Sequence, residues 1–157
     1  MSKVIFLDVD GVLNDVQTDE RSPDGFIGID PLMVGHLKFV VDQTGANVVL
    51  TSTWKSEWDR DSSKRSDDGN YLHDTLLAQG VEIIDKTEDQ VADRGHGIIR
   101  YLEAHPEIEK WIVLDDEVYF DFKECGIMEH LIRSRYAFGG LTNELANHAV
   151  FKLNAAA

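Results

Sequence analysis

The chain has little of what staples, spans or carries positive charge. A single cysteine, Cys125, excludes an internal disulfide and a zinc site built from several cysteines. No strictly apolar run exceeds four residues (Val4 to Leu7, Trp111 to Leu114), which excludes a transmembrane helix and a secretory core segment. Basic residues are scarce: 15 against 29 acidic ones, a formal net charge of −14. Such a surface repels anionic membranes and extended duplex nucleic acid. It still admits a small phosphorylated ligand, or one end of a nucleic acid, at a locally neutralised site. No internal repeat and no long linker interrupts the 157 residues. With 43% hydrophobic residues, a chain of this length can bury roughly 70% of its unfolded surface. These features describe one domain over residues 1–157, soluble and cytoplasmic.

What is present is a regular alternation of short apolar runs with helical patterns. Strands are expected at Lys3 to Leu7, Asn47 to Leu50, Val81 to Ile84, Trp111 to Leu114 and His130 to Arg133. Asp30 and Pro31 open a helix carrying Met33, Leu37, Val40 and Val41, and Gly45 closes it. Leu72 and Leu76 mark a second helix ended by Gly80. Ile98, Ile99 and Leu102 mark a third, stopped at His105-Pro106. Thr142 caps a last one bearing Leu145, Ala149 and Leu153. Residues 12–29 read as a loop or small hairpin around Ser22-Pro23-Asp24-Gly25, residues 59–70 as a mobile polar loop, and residues 154–157 as an unstructured tail. The pattern predicts an α/β fold of three layers, with a parallel sheet of about five strands.

Ligands of open parallel sheets sit beyond the carboxyl ends of the strands. Here those ends carry Asp8 and Asp10, Thr51 and Ser52, and Asp115 and Asp116. Asp8 and Asp10 share one side of an extended chain while Val9 points away, and Gly11 allows a sharp turn after them. Several carboxylates in one small volume need a cation or a shared proton. An oxygen-only donor set suits Mg²⁺ better than zinc. An EF-hand fails, because Val12 stands at the fifth loop position and no glutamate at the twelfth.

These residues resemble a known family. Asp8-Val9-Asp10-Gly11-Val12-Leu13-Asn14 is similar to the first motif of the haloacid dehalogenase (HAD) superfamily. Val48 to Thr51 is similar to its second motif and Ile112 to Asp116 to its fourth. Ser52 to Lys55, Arg94-Gly95 and Gly140-Leu141-Thr142 resemble the branch found in Swiss Army Knife RNA repair proteins. The resemblance runs from about residue 3 to 153 and implies a Rossmann-like HAD fold. The gaps 14–46 and 55–93 are too short for the superfamily's full cap domain, and an open site goes with large substrates or oligomer partners acting as lids.

The resemblance implies roles. Asp8 is the nucleophile, and Asp10 the general acid and then base. Thr51 donates to a phosphoryl oxygen. Mg²⁺ is held by Asp8, the Asp10 carbonyl and Asp116, with Asp115 binding directly or through water. The third motif usually supplies lysine; here Arg94 matches the branch, with Lys86 the competitor. Gly11, Ser52 and Trp54 are candidate substrate contacts, Trp54 by stacking or as a packing residue. Lys55, Arg60, Lys64 and Arg65 form a basic stretch nearly cancelled by Glu57, Asp59 and Asp61. Asn14 lines the site or caps a turn, the six histidines show no metal-ligand spacing, and Cys125 is structural. The implied activity is a Mg²⁺-dependent phosphomonoesterase acting through an aspartyl-phosphate, on a phosphorylated small molecule, a nucleotide or a nucleic-acid end. Alternatives are a 5′-nucleotidase-like enzyme and a non-catalytic phosphoryl-binding domain; a pure binder has no need of Asp10.

Overall fold

The computed structural model describes residues 2–89 and 92–155. Five parallel strands form one sheet: β1 (Lys3–Leu7), β2 (Asn47–Leu50), β3 (Ile83–Lys86), β4 (Lys110–Asp115) and β5 (Leu131–Arg133). Their spatial order is β3-β2-β1-β4-β5. The helices are α1 (Pro31–Thr44), α2 (Asp67–Leu77), α3 (Arg94–Ala104) and α4 (Asn143–Asn154). Among the described residues no helix is long and apolar enough to cross a membrane.

Strand alternation divides the core into two faces. Ile5, Leu7, Val48, Leu50, Ile112 and Leu114 pack with the apolar stripes of α1, α2 and α4. Val4, Phe6, Val49 and Val113 pack on the opposite face with Ile98 and Tyr101 of α3, and with Phe122. Both faces of a central parallel sheet are covered in this way, which is why its strands read as continuous apolar runs. The chain builds β2 and β3 to one side of β1, then crosses to the other side for β4. The crevice between β1 and β4 is therefore the point where the strand order reverses, the usual ligand position in such folds.

Helix boundaries follow local chemistry. The Asp30 side chain accepts from the Leu32 amide, Pro31 fixes the first turn of α1, and Gly45 closes it at φ 71°. Between β1 and α1 an antiparallel bridge, Arg21 to Ile27, makes the small hairpin.

Three expectations are corrected. Residues 59–70 are a folded connection: Ser62–Lys64 forms a 3-10 turn capped by Asp61, and α2 begins at Asp67 behind the Ser66 cap. Asp68 is buried there because it accepts from the Ser22 hydroxyl (3.1 Å) and the Asp24 amide (3.1 Å), fastening the hairpin to α2. The third strand is Ile83–Lys86, two residues later than the apolar run; the Val81 amide instead bonds the Leu76 carbonyl to finish the α2 turn. Asn154 belongs to α4, accepting from Lys3 and donating to the Gln43 carbonyl. The last two residues of the expected tail lie outside the described residues.

Candidate active site

Asp8 directly follows β1, and its amide donates to the Leu114 carbonyl, so it stands beside the end of β4. Thr51 follows β2, with its amide on the Leu7 carbonyl. Asp115 ends β4 and Asp116 follows it. Carboxylate oxygens of Asp8, Asp115 and Asp116 all lie within 4.8 Å of one another. The sheet alone accounts for this meeting of residues far apart in sequence.

Arg94, the first residue of α3, enters this cluster. Its Nη1 lies 2.8 Å from Asp115 Oδ2 and 3.3 Å from Asp8 Oδ1, and its guanidinium sits over the Tyr119 ring at 4.3 Å. Only 2% of Arg94 is exposed. Burial works against its charge, but the charges of Asp8 and Asp115 outweigh it and hold the guanidinium protonated. Lys86 is elsewhere: its Nζ donates to the carbonyls of Lys55 (2.9 Å) and Trp58 (2.8 Å). Lys55 is paired with Asp89 at 3.3 Å.

One cation does not neutralise three carboxylates. Burial first, then the Asp115 charge, push Asp8 well above the usual carboxylate range, with Arg94 only partly offsetting them. The same two causes raise Asp116 to about 6. Among the described residues two buried donors of the site also lack acceptors: the Thr51 hydroxyl and the Arg94 Nε–H. Leaving a buried donor unpaired costs about 1–3 kcal/mol, so both donors are suited to an anion that is itself an acceptor. An all-oxygen cluster short of positive charge likewise fits a hard divalent cation.

Gly11 lets these parts approach. Its φ is +84°, and a Cβ there would lie 2.3 Å from Asp116 Oδ2. No side chain fits. Asp10 is exposed and lies outside the carboxylate cluster. Its Oδ1 accepts from Asn14 Nδ2 (2.9 Å) and its Oδ2 from Trp54 Nε1 (3.2 Å). Trp54 is only 7% exposed, a packed residue whose indole N–H donates to Asp10. Ser52 is fully buried, and its hydroxyl accepts from the Trp54 amide to cap a 3-10 turn, Thr53–Ser56. The structure thus brings Asp8, Thr51, Arg94, Asp115 and Asp116 together, sets Asp10 at the rim, and turns Ser52 inward.

Sequence reasoning passed over one supporting residue, Asp121, and left open whether Asn14 lines the site or caps a turn; the structure has Asn14 do both. Asn14, fully buried, accepts from the Gly11 amide (2.9 Å) and donates to Asp10 and to the Gly28 carbonyl (2.9 Å), so it ties the first loop to the hairpin. Asp121, also fully buried, accepts from the Gly95 amide (3.1 Å), the His96 amide (2.9 Å) and the His96 ring (2.8 Å). It therefore caps α3 from a distance, since the Asp93 side chain makes no capping bond. The available signal was a lone carboxylate in an aromatic stretch, Tyr119-Phe120-Asp121-Phe122, which demands partners.

The profile of the family described as the HAD domain in Swiss Army Knife RNA repair proteins matches residues 4–146. The chain belongs to this HAD family. Membership implies phosphatase activity by a Mg²⁺-dependent aspartyl-phosphate mechanism. HAD phosphatases generally act on phosphorylated small molecules or nucleic-acid ends. No curated protein and no solved structure gives a significant match to this HAD domain.

Proposed function

We propose that this HAD domain, read as one unit over residues 1–157, hydrolyses a phosphomonoester carried by a nucleotide or a nucleic-acid end. The observation that carries the reading is the placement of unpaired Thr51 and Arg94 donors beside the Asp8, Asp115 and Asp116 carboxylates at the reversal point of the sheet. In this reading the phosphoryl oxygens accept from the Thr51 hydroxyl and the Arg94 guanidinium. Asp8 attacks phosphorus as the bond to the leaving oxygen breaks, and Asp10 gives that oxygen its proton. Water then attacks the aspartyl-phosphate, Asp10 takes the water's proton, and phosphate departs. Asn14 and Trp54 hold the Asp10 carboxylate toward the leaving group throughout.

Asp8, Asp115, Asp116 and the Asp10 carbonyl would hold Mg²⁺. When bound, the ion supplies charge neutralisation between an anionic nucleophile and an anionic substrate. The test is hydrolysis of an aryl phosphate, nucleotides and phosphate-ended oligonucleotides with and without Mg²⁺. Wild-type protein should turn over with Mg²⁺, while Asp8→Asn, with unchanged circular dichroism, should be inactive. Undiminished turnover in that variant would exclude the covalent route.

A further inference from the structure

Two clefts, one beside Asp10 and one beside Asp116, share one wall. The first, about 460 Å³, opens from Asp10 and Trp54 and passes Phe26, a ring 66% exposed. The second, about 570 Å³, opens from Asp116 and is lined by Arg133, Ser134, Arg135 and Tyr136. Tyr136 lines both. The turn that carries these residues after β5 is firmly held. The Ser134 amide donates to the Asp115 carbonyl (3.0 Å) and its hydroxyl to the Gly11 carbonyl. The Tyr136 carbonyl accepts from the Val16 amide at 2.9 Å. The turn is thus fastened to both loops that supply the acidic cluster.

Its two guanidiniums stand two positions apart in a chain of net charge −14. Arg133 Nε donates to the Asp116 carbonyl (3.1 Å), which leaves its terminal amines available. Among the described residues neither Arg133 nor Arg135 forms an ion pair. By contrast Lys55, Lys86 and Arg94 are committed to carboxylates or carbonyls. A guanidinium pair with a neighbouring aromatic ring is suited to a phosphate attached to a flat ring system.

We infer that Arg133 and Arg135 form a second anion site, beside the acidic cluster, for a further phosphate on the substrate's leaving group, whose ring lies against Tyr136. The inference rests on the phosphomonoesterase reading above. The substrate class it names is a nucleoside phosphomonoester bearing a second phosphate, which a free nucleoside bisphosphate and a phosphate-ended oligonucleotide both present. The second phosphate is not cleaved and stays with the released product.

Calorimetry on Asp8→Asn, which separates binding from turnover, tests this with a nucleoside 3′,5′-bisphosphate against the matching monophosphates in Mg²⁺. The bisphosphate should bind about tenfold more tightly, the scale of one hydrogen-bonded charge pair. That ratio should fall to near one when Arg135→Ala is added, and below one with Arg135→Glu. A phosphate-ended dinucleotide should show the same advantage as the bisphosphate. Equal affinity for mono- and bisphosphates overturns the inference, as does an advantage seen only with long oligonucleotides and growing with length. Loss of all aryl phosphate turnover in wild-type protein would instead strike the phosphomonoesterase reading, whatever the binding ratio.

Discussion

Each oxygen of Asp10 has its own donor, and the two can be removed one at a time. Asp10→Asn keeps the shape and loses the proton carrier, so turnover should fall by about 10²–10⁴-fold. The loss should shrink for substrates with good leaving groups, and equal losses across a leaving-group series would deny Asp10 the acid's part. Trp54→Phe keeps the packed ring and deletes only the indole N–H. It should lower kcat by about tenfold, the scale of one hydrogen bond to a charged group, with KM nearly unchanged. Arg94 and Lys86 give a sharper contrast. Arg94→Ala removes the cation that touches Asp8 and Asp115, and should lower both turnover and orthovanadate affinity by on the order of 10²–10³-fold. Lys86→Ala frees two backbone carbonyls at the neighbouring turn and should do much less. Measuring both variants side by side decides the third motif.

In the proposed mechanism the element that matters most is α3, because Arg94 is its first residue and Asp121 its remote cap. Asp121→Ala should cost about 1 kcal/mol of stability, read as a lower denaturant midpoint. It should also lower turnover on every substrate alike, since it displaces Arg94 without touching the leaving group. A stability loss with full activity would show that Arg94 is held by its carboxylates alone. Elements of this kind set the limit of what the sequence discloses. Strands β1, β2 and β4 are buried on both faces, so Val4 to Leu7, Val48 to Leu50 and Ile112 to Leu114 announce themselves as apolar runs, and their carboxyl-terminal aspartates and Thr51 come with them. Strand β3 pairs on one side only, which lets Asp85 and Lys86 serve as strand residues while Val81 is buried just outside it. Apolar content therefore misplaces it by two residues. The Asp68 anchor and the Asp121 cap were hidden for a related reason: each is a single polar residue buried by partners distant in sequence, and no periodicity encodes that.

Across the whole molecule the acidic cluster sets a pH dependence. Asp8 and Asp116 have folded-state pKa values above the ordinary 3.8, Asp116 near 6. The folded metal-free chain therefore holds more protons than the unfolded one in that interval, and the contribution of these two groups to stability is lost as pH rises through it. In the proposed site Mg²⁺ would compete for the same oxygens once the protons leave. The rise in Tm caused by Mg²⁺ should thus be small at about pH 4.5 and large at about pH 7.5, and chelation should abolish it. Asp116→Asn should flatten that difference; an equal Mg²⁺ effect at both pH values would place the ion elsewhere. The central position of β1 has a further consequence, for the order in which the chain can become active. Val4 lies opposite Asn47 on one side but opposite Trp111 on the other. During synthesis the first strand must wait for Lys110 to Leu114 before its second edge is covered, and pairing across so long a loop is intrinsically slow. A nascent chain ending before Lys110 already carries Asp8, Asp10, Thr51 and Arg94, yet lacks both Asp115 and Asp116. On the proposed mechanism, phosphate chemistry is therefore withheld until Asp115 and Asp116 have been synthesised.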